Sequence, residues 1–251
     1  MTTEASPVWP APAAVVLPAP HVVDVWVAPL DLPEDRQRAL WPLLSDDEHT
    51  RASRFFRELD RRRFAVARGT LRSILAAYLD RPPAGLAFGA DRYGKPYLLA
   101  GAERSTLRFN LAHSGELAVY AFVQQRQVGV DVEQIHDLPD APELARRFFS
   151  PYEHEVFVSL PESQRLEAFF TCWTRKEAYL KGHGSGLSQS LQDFDVTLAP
   201  GSPASLLRHR TDPGMAGRWS LWHLVPAPGY VGALAVENGA AMIRCWSWQH
   251  P

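Results

Sequence analysis

GVDVE at 129–133 and CWTRKEAYLKGHGSGL at 172–187 decide how this chain is read. In the first, Asp131 and Glu133 lie two residues apart in a β-branched apolar run. Positions i and i+2 of an extended strand point to one face, so the two acids stand side by side. The second reads as a helix, with Trp173, Glu177 and Lys181 spaced i, i+4, i+8 and stacked on one face. Desolvation and repulsion both oppose paired acids in an apolar setting. A divalent cation supplies a reason for them. Asp131, Glu133 and Glu177 make an all-oxygen site of the kind Mg²⁺ takes, completed by waters and substrate phosphates. Lys181, one turn beyond the third acid, faces the same phosphates. Taken singly, each feature is ordinary: a D-x-E on a half-exposed strand, an i, i+4 pair worth ~0.3–0.5 kcal/mol. Their combination carries the reading.

The 251 residues suffice for one large domain or two small ones. Hydrophobic content of 46% and charge of 22% are those of an ordinary soluble globular protein. A net charge of −2 gives no basis for general nucleic-acid binding. Cys172 and Cys245 are too few for a disulfide framework and lack metal-ligand spacing, so reduced thiols are expected. No apolar run approaches the roughly 20 residues of a membrane helix. The stretch PVWPAPAAVVLPAP at 7–20 lacks a basic leader, and its prolines interrupt any apolar core. Residues 1–20 therefore read as a flexible Pro/Ala-rich arm, and the protein as cytoplasmic.

HVVDVWVA at 21–28 alternates as a strand, and LPEDRQRAL reads as a short helix. Ser45 and Glu48 form a capping-box pattern opening an arginine-rich segment with helical periodicity, closed by Pro82-Pro83. Residues 117–123 and 128–132 read as two strands joined by QQRQ, a hairpin. Short helices follow at 143–149 and from Ser150-Pro151, then a longer one from Pro161-Glu162. DFDVTL, RWSLWHLV, YVGALAVE and MIRCWSWQ alternate as strands. These elements establish an α+β chain.

GVDVE, then W-T-R-K-E-A-Y-L-K and G-x-G-L, resembles the 4′-phosphopantetheinyl transferases of the surfactin-synthetase type. RYGKPYL at 92–98, FNLAHS at 109–114 and RRFFSPYE at 146–153 fall in the same family order, so five blocks span about 92–187. The resemblance implies two pseudo-symmetric α+β halves, 21–125 and 126–251, the second carrying the metal site, in a monomer. It implies transfer of the 4′-phosphopantetheine group of coenzyme A to a serine of an acyl or peptidyl carrier protein, releasing 3′,5′-ADP. Asp131, Glu133 and Glu177 would hold Mg²⁺ against the pyrophosphate, and Lys181 would stabilise charge on the transferred phosphoryl group. Glu177 is the first candidate to accept the serine proton and Glu153 the second, although Glu153 also reads as a plain helix N-terminal acid. His113 would contact a phosphate, and Lys176 either phosphate or solvent. Gly94, Lys95 and Pro96 would pack at the nucleotide, with Arg51 and Arg63 at the 3′-phosphate. Ala112 departs from the family's more frequent serine.

Two other classes can be set beside this one. A metal-dependent nuclease would pair acids with lysine as E-x-K, but Glu133 is followed by Gln134-Ile135 and Glu177 by Ala178-Tyr179. A coenzyme A-binding module without catalysis would have no need of the three acids and Lys181 together.

Overall fold

Two 22-residue helices, one against a mixed sheet and one against an antiparallel sheet, organise the chain. The computed structural model describes residues 9–184, 189–239 and 241–250. The first half contains β1 (Val22–Pro29), α1 (Glu34–Leu40), α2 (Asp46–Ala52) and the long α3 (Glu58–Leu79). Short strands β2 (Phe88–Ala90), β3 (Pro96–Ala100) and β4 (Glu103–Arg104) follow, then β5 (Leu107–Ser114) and β6 (Leu117–Gln124). The second half runs β7 (Val128–Gln134), α4 (Ala141–Phe148), α5 (Pro151–Ser159) and the long α6 (Glu162–His183). It continues with β8 (Phe194–Val196), β9 (Leu206–His209), α7 (Met215–Arg218), β10 (Trp219–Leu224), β11 (Tyr230–Glu237) and β12 (Met242–Ser247). The α+β class and the two halves are as expected. Among the described residues no helix is long and apolar enough to cross a membrane.

The main sheets run β12-β1-β6-β5 and β10-β11-β7. Three cores follow from how they stack. One lies between the first sheet and α3, around Trp26, Leu71, Ile74 and Phe122. A second lies between the other sheet and the helices of its half, around Phe169, Tyr179 and Phe194. The third joins the two sheets, with Val23, Val25, Val119 and Val123 facing Val128, Val130, Val132 and Leu234. This sandwiching explains why β1 and β7 read as nearly continuous valine runs. A strand covered on both faces buries every position, and an acid there needs a partner or a task.

Three expectations are corrected. Strands β6 and β7 do not form a hairpin: β6 pairs with β1 and β5, whereas β7 pairs with β11. The chain crosses between sheets at the intervening turn, where Gln125 takes φ 62°. The second half does not keep residues 126–251, because β12 returns to lie parallel to β1 in the first sheet. Residues 9–20 are not a free arm. Trp9 is buried, the Pro10 carbonyl accepts from the Ser247 amide at 2.9 Å, and that of Pro18 accepts from Gln124 Nε2 at 2.7 Å.

The returning strand is locked by one buried acid. Asp24 accepts from Arg244 through both carboxylate oxygens, at 2.6 and 2.9 Å, and from the Tyr78 hydroxyl and the Trp246 indole. Removing one partner of such a pair leaves a buried charge without compensation. Arg244→Ala, which leaves the buried Asp24 without its cation, is expected to lower the unfolding free energy by about 3 kcal/mol in a urea titration; no change would mean that β12 contributes little to the first sheet.

Candidate active site

Helix α6 crosses β7 with backbone against backbone. A Cβ added at Gly129 would lie 2.0 Å from the Ala178 carbonyl oxygen and 2.2 Å from the Gly182 nitrogen, so only glycine fits this crossing. The close approach sets the α6 face bearing Glu177 and Lys181 over the β7 face bearing Asp131 and Glu133. Lys181 Nζ donates to Asp131 Oδ1 at 2.6 Å. Glu133 Oε2 accepts from Ser114 Oγ on β5 at 2.6 Å. Asn110 Oδ1, also on β5, accepts from the Val130 amide at 2.8 Å and so pins the two sheets together beside the acids.

The three carboxylates share one electrostatic environment. Burial pushes the Asp131 carboxyl up to about 7 against the pull of Lys181, and Glu133 and Glu177 raise it further. Burial also raises Glu177, with Lys181 opposing and Glu133 adding to the shift. His113 is pulled down by its desolvation in the cleft, and next by Lys181. Its ring is reached by solvent at the mouth yet walled by protein, so the neutral form is favoured at pH 7.

These groups border a cavity of about 500 Å³ between the halves. Arg51, Phe64 and Arg68 form one wall and Tyr93 to Pro96 another, with Asn110 to His113 along β5 and Glu177, Leu180, Lys181 and Gly184 from α6. Arg51 lies over the Phe64 ring at 5.4 Å. Of the residues singled out in the sequence, Arg51, Gly94, Lys95, Pro96, His113, Glu177 and Lys181 line this cavity. Asp131 lies behind Lys181, with Glu133 two residues further along β7.

Three of the expected site residues are elsewhere. Glu153 and Lys176 are fully buried and paired to each other at 2.7 Å, so neither is placed to meet a substrate. Glu153 caps its own helix by accepting from the Ser150 amide, and also accepts from the Val196 amide. Lys176 stands one residue before Glu177 and therefore about 100° around the helix, facing α5 and β8. Arg63 is held by Asp31 through two hydrogen bonds, at 2.8 and 2.5 Å, and is not among the residues lining the cavity. Lys95 lines the cavity, but its ammonium lies on the carbonyls of Val128 and Gly182. The sequence reading missed Ser114, Asn110 and Arg68. For Ser114 the signal was present: it follows His113 on a strand, so it faces the other way, toward β7.

The donor set suits a hard divalent cation. All three acids are oxygen donors, and Asp131 Oδ2 is buried with no hydrogen-bond partner among the described residues. As the side chains stand, Lys181 takes the place beside Asp131 Oδ1, and among the described residues no three His, Cys, Asp or Glu side chains converge as a cage. The G-x-G-L segment after α6 lies partly at 185–188, outside the described residues.

Residues 127–235 match the family model of the 4′-phosphopantetheinyl transferase superfamily, and 33–125 match that of a 4′-phosphopantetheinyl transferase N-terminal region. The chain belongs to this superfamily. It is 42% identical over 226 residues to the 4′-phosphopantetheinyl transferase HetI of a Nostoc species, covering 90% of this chain and 92% of that one. Psf-1 of Bacillus pumilus is 32% identical over 220 residues, covering 86% and 90%. Sfp of Bacillus subtilis is 26% identical over 194 residues, covering 73% and 84%. The resemblance drawn from the five motifs thus holds at the level of the family.

Proposed function

We propose that this transferase moves the 4′-phosphopantetheine group of coenzyme A to a serine of an acyl or peptidyl carrier protein, as a holo-[acyl-carrier-protein] synthase. The observation that supports the reading is a cleft lined by Glu177, Lys181 and Arg51, with Lys181 on Asp131 behind it and Glu133 and Glu177 both acting on the Asp131 carboxyl. A dianionic nucleotide end fits the side bearing Arg51, Arg68 being held by Glu48, and a pyrophosphate fits the acid and lysine end if a cation accompanies it.

Asp131, Glu133 and Glu177 are the residues that would hold Mg²⁺, which when bound would neutralise the pyrophosphate and favour departure of 3′,5′-ADP. Lys181, freed from Asp131, reaches the phosphoryl oxygens and stabilises charge that grows on them. Glu177 is the proton acceptor for the attacking serine, since its raised pKa makes it a stronger base than a free carboxylate. His113, neutral, donates a hydrogen bond to phosphate. We take the enzyme to act as a cytoplasmic monomer, without membrane or nucleic acid.

Removal of divalent metal tests the reading. Release of 3′,5′-ADP in the presence of apo carrier is expected to cease with chelator and return with excess Mg²⁺. Undiminished release in chelator would remove the cation from the account and leave Lys181 on Asp131 throughout.

A further inference from the structure

Lys95 is the cation that sequence resemblance assigns to the nucleotide, yet its geometry serves something else. The turn that carries it is tied to itself: Asp91 Oδ1 accepts from the amides of Tyr93 and Lys95, each at 2.9 Å. The Gly94 amide donates to the Asp91 carbonyl at 3.0 Å, with Gly94 at φ 83°. From this fixed base the side chain crosses into the second half. Nζ donates to the carbonyls of Val128 and Gly182, at 3.0 Å each.

Those two carbonyls belong to the backbone crossing at Gly129. Val128 opens β7 three residues before Asp131, and Gly182 follows Lys181 in the last turn of α6. Carbonyls in a helix's last turn lack partners within the helix and carry negative partial charge, so an ammonium there is favourable. A slip of one residue along α6 moves a side chain by about 1.5 Å and turns it by about 100°. That is enough to take Glu177 and Lys181 off the acids of β7.

We propose that Lys95 is a positioning residue: it staples the last turn of α6 to the start of β7 from the opposite half, and thereby sets Glu177 and Lys181 against Asp131 and Glu133. Burial lowers Lys95 to about 8, as fits an ammonium spent on neutral carbonyls inside the protein. The consequence for the reaction rests on the transferase reading above; the staple itself does not.

Lys95→Met in the full chain, with Lys95→Gln as a second variant that keeps N–H donors without charge, separates a staple from a phosphate ligand. Three quantities are measured: hydrogen exchange of the α6 last turn, Kd for coenzyme A and for 3′-dephospho-coenzyme A, and kcat with apo carrier. For Lys95→Met the staple predicts faster exchange confined to α6 and β7 and a kcat loss of about tenfold to a hundredfold. It also predicts Kd changes under about threefold, equal for the two coenzymes. Lys95→Gln is expected to recover part of both exchange protection and kcat. Unchanged exchange, or a loss of coenzyme A affinity as large as the loss of kcat, would overturn the proposal. So would a Kd effect that vanishes with 3′-dephospho-coenzyme A. If Lys95→Met does not fold, Lys95→Gln decides by the same criteria. Should the wild-type protein transfer nothing, the functional reading fails by itself, and the exchange and affinity measurements still decide the staple.

Discussion

Glu177→Gln is expected to slow transfer by about 10²–10⁴-fold while the protein stays folded. The loss is large because one side chain is assigned two tasks, donor to the cation and acceptor of the serine proton, and the amide performs neither. The fold should survive, since Glu177 is half-buried, raised in pKa by burial and by Glu133, and among the described residues has no ion pair within salt-bridge distance. Replacing it relieves repulsion within the acid cluster, so the metal-free variant should melt no lower than wild type. The wild-type rate should fall as pH drops, because protonation of a carboxylate with a raised pKa removes the base above the pH at which a free glutamate would protonate. Steady-state kinetics and a thermal melt of the same preparation check both halves of the expectation. A wild-type-like rate would remove Glu177 from the chemistry, and a sharply lowered melt would make it structural.

Lys176→Met is expected to destabilise the protein by about 3–5 kcal/mol. All three ammonium protons are committed, to Glu153 at 2.7 Å and to the carbonyls of Leu191 and Phe194 at 2.6 and 2.7 Å. The Phe194 ring lies 4.3 Å away. Both ionic side chains are 0% exposed, so removal of one strands the other in a medium that cannot solvate it. The two losses should not add. Lys176→Met with Glu153→Gln is expected to cost less than the sum of the single variants by about 1–3 kcal/mol, measured by urea unfolding. This also tests the corrected role of Glu153. Stability unchanged in Glu153→Gln, with transfer abolished, would restore it as a catalytic residue.

These two residues show where sequence reading reaches and where it stops. The i, i+2 spacing of Asp131 and Glu133 and the i, i+4 spacing of Glu177 and Lys181 are local regularities of strand and helix, and the structure keeps them. Glu153 and Lys176 sit in the same motif blocks, and nothing local shows that α5 and β8 close over them. The capping box did carry the answer for Glu153, because Ser150 three residues earlier is a local signal for a helix start. Strand β12 was legible as a strand, but its parallel pairing with β1 depends on Asp24 meeting Arg244 across most of the chain. The mistaken hairpin has a similar origin. A short polar link joins β6 to β7, yet β7 has a better partner in β11, and Asn110 takes the Val130 amide from the far sheet. The resemblance places Arg63 at the 3′-phosphate, while Asp31, remote in sequence, claims it.

The intact mass of an apo carrier protein reports both the group transferred and its acceptor. Incubated with this protein, coenzyme A and Mg²⁺, the carrier should gain the mass of one phosphopantetheine unit, and a carrier whose acceptor serine is replaced by alanine should gain none. An unchanged mass across fatty-acid, polyketide and peptidyl carriers, with coenzyme A bound by the protein, would contradict the account and leave a binding module in its place.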